Sequence, residues 1–307
     1  LGIRTANGVN GALVVVQGGV IAAFLLLAVR WIGDHDGAGA LDTATPFFRA
    51  DVPLSITAHG ASIAALSFLG FDAVSTMSDE AREPRRDVPR AVLLVALIVS
   101  AVFVAAAFVA QIVEGPGPIG DAASAGLALT AQVGGPWLAS AFTCGLIAAQ
   151  LAAGIAAQAG VARLLYAMGR DRVLPSRFFA HLSPRTRTPT RNLLLSAAVG
   201  LLALVLTEEQ GTSLVNFGAF VAFTSVNLSV VATWLGTSPG QRGSALAGLV
   251  LPLLGAAFTL WLLLSLDVDA KVAGLAWSAL GLGWLAWLTR LFRRAMPDQR
   301  IVHRVQE

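Results

Sequence analysis

The stretch SFLGFDAVSTMSDE, residues 67–80, sets an aspartate, Asp72, at the end of a run without a charged residue from Val52 to Phe71. Gly70 stands just ahead of it, between the aromatic side chains of Phe68 and Phe71. A carboxylate at the edge of so apolar a segment needs a structural partner or a function. The glycine offers a reason for its position. Glycine weakens a helix and admits backbone angles closed to other residues, so this pair reads as a helix that breaks and restarts.

The surrounding composition says where that helix lies. The chain has 307 residues, of which 56% are hydrophobic and 13% charged, too little polar surface for an ordinary soluble domain. Charge-free windows recur at 9–29, 52–71, 91–113, 122–162, 192–207, 210–241, 243–266 and 272–289. A helix crossing the hydrocarbon core needs about 20 mostly apolar residues. The window 192–207 qualifies if Arg191 and Glu208 snorkel at its ends. The reading is an all-α integral membrane protein with eight transmembrane helices. Long runs rich in leucine, alanine and glycine do not fit the alternating strands of a membrane barrel.

Charge placement gives the orientation. An isoelectric point of about 9.9 would invite a nucleic-acid reading in a soluble protein. Here the basic residues follow topology instead. With the first helix running outward, all of the 21 basic residues except Arg30, Arg49 and Lys271 fall on the inward side. Acids such as Asp34, Asp36, Glu208 and Glu209 fall outside. This asymmetry is that of the positive-inside rule and predicts a cytoplasmic C-terminus. The polar segment GRDRVLPSRFFAHLSPRTRTPT, with Phe178 and Phe179, predicts a short interfacial helix on the cytoplasmic leaflet. In the elbow AREPRRDVPR, Asp87 is suited to cap the next helix and Pro89 to sit in its first turn. The fourth helix is expected to begin near Pro136 and end near Met168.

Polar side chains inside the spans are few. Asp72 either starts the second half-helix as a cap or meets a cationic substrate. Gly70 is either the break or a packing notch. Gln17 on the first helix, and Gln150 and Gln158 eight residues apart on the fourth, face protein or a cavity, packing being the commoner reason. Asn216 and Asn227 read as interhelical hydrogen bonds, and His59 as a lone structural histidine near the outer end of its helix. The single cysteine, Cys144, permits no intrachain disulfide. No histidine pair has metal-ligand spacing, and neither a phosphate loop nor a nucleophile elbow occurs. An enzyme is therefore not expected, and neither is a cofactor.

Three segments carry a family resemblance. FLGFDAVSTMSDEAREPRRDVPRA resembles the sixth-helix signature of the amino acid–polyamine–organocation transporter superfamily. VARLLYAMGRDRVLPSRFFAHLSPRTRTPT is similar to that family's eighth helix and following loop, and GIRTANGVN to the start of its fifth helix. LVNFGAFVAFTSVNLSVV and LVLPLLGAAFTLWLLLSL are similar to helices of the putrescine importer branch. The resemblance implies an inverted-repeat (5+5, LeuT-like) transporter, of which residues 1–307 would form one permease domain holding helices five to twelve. The chain starts at Leu1, almost directly on its first apolar run, so the first four helices are expected upstream.

Carried over by position, the resemblance implies substrate binding by Ser67, Phe68, Leu69, Gly70, Phe71 and Asp72, with Gln17, Gln150 and Asn216 lining the site or serving coupling. Glu80, Pro84, Arg85 and Pro89 match the cytoplasmic end of the signature, which shapes an inner gate. Gln17 departs from the pattern, because proton-coupled amino acid members place a lysine there. A diamine brings its own positive charge and can replace that lysine, leaving a carboxylate to carry the proton. The implied function is import of putrescine or a related cationic amine across the plasma membrane, driven by the proton gradient. An amino acid permease of the same fold, and a fragment that packs with partner helices without transporting, are the alternatives.

Overall fold

The computed structural model describes residues 3–35, 37–41, 46–47, 52–71, 74, 83–115, 124–184 and 187–291. Among them the regular structure is helical: α1 (Ile3–His35), α2 (Leu54–Ala64), α3 (Pro84–Glu114), α4 (Ala125–Arg170), α5 (Ser176–Phe179), α6 (Thr190–Gly200), α7 (Glu208–Gly236), α8 (Leu251–Ser265) and α9 (Val268–Leu288). Six of the described segments are long and apolar enough to cross a membrane: Leu13–His35, α3, α4, α7, Leu246–Ser265 and α9. Little of their apolar surface is buried within the protein, which leaves side chains such as Leu94, Leu97 and Leu264 for lipid.

Of the eight expected spans, six occur among the described residues at full length and two do not. The apolar segments Leu54–Phe68 and Thr190–Leu204 are shorter helices. Each closes in a tightened 3₁₀ turn, Ala65–Phe68 after α2 and Leu201–Leu204 after α6. At about 1.5 Å per residue, each falls several ångströms short of the roughly 30 Å hydrocarbon core. Charge-free length alone could not reveal this, because the windows continue past the points where the backbone leaves the helix.

Helix starts follow local chemistry. Thr207 and Gln210 form a capping box on α7: Gln210 N–H donates to Thr207 Oγ1 at 3.2 Å and Thr207 N–H to Gln210 Oε1 at 3.1 Å. Glu208 and Glu209 then occupy the first turn, where the helix dipole favours acids. At the other end Arg242 donates to the carbonyls of Thr237 and Leu235, both at 2.7 Å, and stacks over Trp234. Helix α3 starts at Pro84, one turn earlier than expected from Pro89, and Asp87 Oδ2 accepts the Glu83 N–H at 3.3 Å. Helix α4 is two pieces joined at Gly135, whose φ of 71° only glycine adopts easily. Its long second piece begins at Pro136, as the sequence predicts. Just past its end, the Arg170 guanidinium hydrogen-bonds Asp171 and holds that exposed carboxyl below its usual range.

The chain divides into two compact units, Leu1–Asp51 with Gly70–Ala157, and Val52–Leu69 with Gln158–Glu307. In the first, α1 packs on α3 around Ala28, Ile32, Val109, Val113 and Leu129. In the second, α7 lies against α8 and α9, with Phe217, Phe220, Leu262 and Leu266 at the core. Small residues let these helices close up: a Cβ at Gly274 would overlap the Phe217 ring, and one at Gly248 the Trp234 ring. Thr224 and Thr259 share a 2.7 Å hydrogen bond across the same seam. Proline at 252 withholds an N–H, and the turn ahead of it, Leu246–Val250, widens to a π-helix.

A short helix, α5, occurs in the segment where one was expected. Gly169 packs against Phe179, and the chain around α5 is tied down by Trp284 Nε1–H donating to Val173 O at 2.9 Å. Asn192, completely buried, donates to Ala162 O and Phe179 O. A Cβ at Gly255 would stand 2.8 Å from Asn227 Oδ1. Gly255→Leu is therefore expected to cost about 1–3 kcal/mol through overpacking of the α7–α8 seam. Gly145→Leu, with open space at its Cβ, should leave stability unchanged. Thermal unfolding in detergent compares the two, and equal losses would contradict the packing described.

Candidate functional site

The end of α2 is where the membrane helix fails. Residues Ala65–Phe68 tighten to 3₁₀ geometry, Leu69 turns extended with φ −67° and ψ 136°, and Gly70 takes φ 113°. That last angle lies in the left-handed region, which a β-carbon disfavours. The break read from Gly70 is therefore present, and among the described residues nothing lies within 4 Å of where its Cβ would be.

A broken helix leaves carbonyls without their i+4 donors, and in hydrocarbon each must be paired by other means. Asn216, on α7, provides the pairing. Its side-chain amide donates to Ser62 O at 2.8 Å and to Ile63 O at 3.1 Å. Asn216 and Ser62 are both completely buried, and Ser62 Oγ–H donates to His59 O at 2.7 Å. The interhelical hydrogen bond predicted for Asn216 is thus present, placed at the last regular turn before the break. Its Oδ1 is buried and has no hydrogen-bond partner among the described residues, leaving an acceptor beside the broken end.

The other expected residues are placed less decisively. Asp72 lies outside the described residues, as does Glu80. Ser67 and Phe68 are exposed, while Leu69 and Phe71 are half-buried. Gln17 is half-buried on α1, and Gln150 is exposed on α4. Gln158 donates to Leu193 O at 3.3 Å and ties α4 to α6. Asn227 differs from expectation: its amide donates to Phe223 O within its own helix, while its bulk packs on Gly255.

A second constellation escaped the reading of His59 as a lone histidine. His59 Nδ1–H donates to Ser265 O at 2.9 Å. The other ring nitrogen, Nε2, lies 3.3 Å from Glu209 Oε1 and 3.7 Å from Asp267 Oδ1. Asp267 Oδ2 in turn accepts from the buried Ser213 hydroxyl at 2.8 Å. Glu209 and Asp267 also line a cavity of about 440 Å³ with Thr207, Gln210 and Asp269. These residues come from distant parts of the chain, so no local spacing betrays them. The available sign was that all three fall toward the same predicted outer side, although His59 lies in the middle of α2 and the two acids at the starts of α7 and α9.

With a broken apolar helix and buried polar pairing at its end, the chain has the features of a membrane permease. It belongs to the amino acid permease family, whose sequence profile matches residues 1–278. Within that family it is similar to the low-affinity putrescine importer PlaP of Escherichia coli K12, 36% identical over 310 residues. That match covers 96% of this chain, which spans 66% of the importer's length. A probable low-affinity putrescine importer PlaP of Klebsiella pneumoniae is 43% identical over 153 residues, covering 48% of this chain and 76% of the relative. The branched-chain amino acid permease BcaP of Bacillus subtilis is 25% identical over 287 residues, covering 92% of this chain and 59% of the relative. By family and by its long apolar helices, the chain is thus an integral membrane protein of the permease class.

Substituting Asn216 by leucine would remove the side-chain donor from the Ser62 and Ile63 carbonyls, of which Ile63 O keeps the Ala65 N–H. The expected loss is about 1–3 kcal/mol per unsatisfied group. It should appear as a clearly lowered melting temperature in detergent, with a smaller fall for Asn227→Leu. An Asn216→Leu protein as stable as the parent would show that the broken end does not depend on this amide.

Proposed function

We propose that this chain belongs to a secondary transporter that imports putrescine or a related cationic amine, by alternating access around the break at residues 67–72. The observation that carries the reading is the left-handed turn at Gly70 ending α2, in a chain 36% identical to a putrescine importer over 96% of its length. The substrate-contacting set is Ser67, Phe68, Leu69, Gly70, Phe71 and Asp72, with Gln17, Gln150 and Asn216 in supporting positions. In this reading residues 1–307 form a single permease domain holding helices five to twelve of the inverted-repeat fold. The short segments 54–68 and 190–204 then count as spans in their own right, and the C-terminus is cytoplasmic in the plasma membrane.

The physical case for a cation rests on the polarity of the helix end. The C-terminal end of a helix carries partial negative charge on its unpaired carbonyls. The break after Ala64 presents such an end at mid-membrane depth, where backbone out of helical register is stable only in protein or beside water. An ammonium group meets this polarised helix end, whose Ser62 and Ile63 carbonyls Asn216 already holds, by donating to the Asn216 Oδ1 acceptor. Asp72, two residues past Gly70, supplies the compensating charge. A carboxylate in that position also takes the proton when the amine leaves, which links import to the proton gradient without a lysine at Gln17.

The amino acid alternative is favoured by the Bacillus branched-chain permease among the relatives. In that case the backbone at Gly70 receives a carboxylate, and Asp72 is only a cap. Labelled putrescine uptake by cells expressing the gene that encodes this chain separates the two. The proposal expects uptake that collapses with a protonophore, falls at least tenfold in Asp72→Asn, and is unmoved by excess amino acids. Absence of putrescine uptake, or uptake fully blocked by branched-chain amino acids and indifferent to Asp72→Asn, would overturn it.

A further inference from the structure

We infer that His59, Glu209 and Asp267 form a binding site for a divalent transition-metal ion, of the zinc or cobalt type. The site ties the first turns of α7 and α9 to the middle of α2. It lies apart from the break at residues 65–70 and does not depend on which substrate the transporter carries.

The geometry of the imidazole makes the case. Ser265 O can only accept, so the 2.9 Å bond fixes the proton on His59 Nδ1. Nε2 then faces two carboxylate oxygens, at 3.3 and 3.7 Å. A cation has to sit between them, either a proton on Nε2 or a metal ion that takes the proton's place. Among the described residues no lysine or arginine pairs with Glu209 or Asp267, and the nearby Lys271 ammonium is engaged with Leu264 O at 2.9 Å. A histidine whose far nitrogen donates to a backbone carbonyl is also the orientation that metal-bound histidines take. Asp267 is likewise held by the Ser213 hydroxyl on the oxygen that does not face His59.

Spacing and donor type select the ion. The three ligand atoms lie within 4.8 Å of one another. A tetrahedral ion with bonds of about 2.0–2.1 Å sets its ligands roughly 3.3–3.4 Å apart. The His59–Glu209 distance of 3.3 Å already matches, and the His59–Asp267 distance of 3.7 Å exceeds it by a few tenths of an ångström. Magnesium requires a tighter octahedron, and calcium prefers oxygen ligands alone, so the imidazole nitrogen excludes both. Two carboxylates and a neutral imidazole neutralise the ion's double charge. The side chains are partly exposed, and the adjoining cavity of about 440 Å³ gives the ion a route in and room for a water as fourth ligand.

The test is metal binding by the purified chain in detergent, carrying no polyhistidine tag. Cobalt(II) should give visible d–d absorption of tetrahedral intensity, saturating at one ion per chain and displaced by zinc. His59→Gln and Asp267→Asn should each weaken binding at least tenfold. Glu209→Gln, at an exposed position tolerant of change, should do the same and guards against misfolding in the other two. Ser213→Ala should weaken binding about tenfold, because it releases the Asp267 carboxylate from the hydroxyl that orients it. No saturable cobalt spectrum in the parent, or equal binding by the parent and all variants, would overturn the site.

Discussion

Hydrocarbon offers backbone groups no water to bond with, and the architecture of this chain answers to that fact. A helix may stop inside the bilayer only if its freed carbonyls find donors. Helix α2 stops at Ala64, and the buried amide of Asn216 reaches across from α7 to the carbonyls of Ser62 and Ile63. The 3₁₀ turn at Ala65–Phe68 rests on the same helix through the packing of Ala65 beside Phe217, Phe220 and Leu262. Polar pairing and apolar packing therefore fix the break at one point. The tight α7–α8 seam, with its glycines and its Thr224–Thr259 bond, holds the Asn216 helix in place.

Function follows from what that break exposes. A helix end presents a partial charge with fixed direction, and the segment beyond it no longer stacks on a preceding turn. Gly70 permits the change of direction because its φ of 113° is strained for any residue with a β-carbon. Membership of the amino acid permease family supplies the context of solute transport. The partial negative charge of a helix end is the physical ground on which the proposal favours amines among the solutes the relatives are named for.

Much of this was legible in the residues. Charge-free windows locate the apolar helices because their interiors exclude charge, and Gly70 between two phenylalanines marks the break. Pro136 marks the restart of α4 because proline fits a first helical turn, and Asn216 identifies itself as a buried amide needing partners. What stayed hidden has equally physical causes. The shortness of the segments 54–68 and 190–204 reflects backbone tightening inside runs of unchanged hydropathy. Asn192, a pin between α4, α5 and α6, looks in sequence like any polar residue at a helix start. The assembly of His59 with Glu209 and Asp267 arises from the middle of α2 meeting the starts of α7 and α9 in space, and no periodicity in one helix encodes such a meeting.

Whether the membrane path of α2 opens to water at residues 67–71 is settled most directly by thiol accessibility. Cys144 is exposed and is first replaced by serine. Single cysteines are then placed at Ser67, Leu69 and Phe71, with Leu94 and Leu97 on the lipid-facing side of α3 as references. A charged, membrane-impermeant thiol reagent should modify the first three positions and spare the references, and putrescine should slow the reaction at the first three. Residues 67–71 as unreactive as Leu94 and Leu97 would mean that the helix continues through lipid, with no break for a solute to meet.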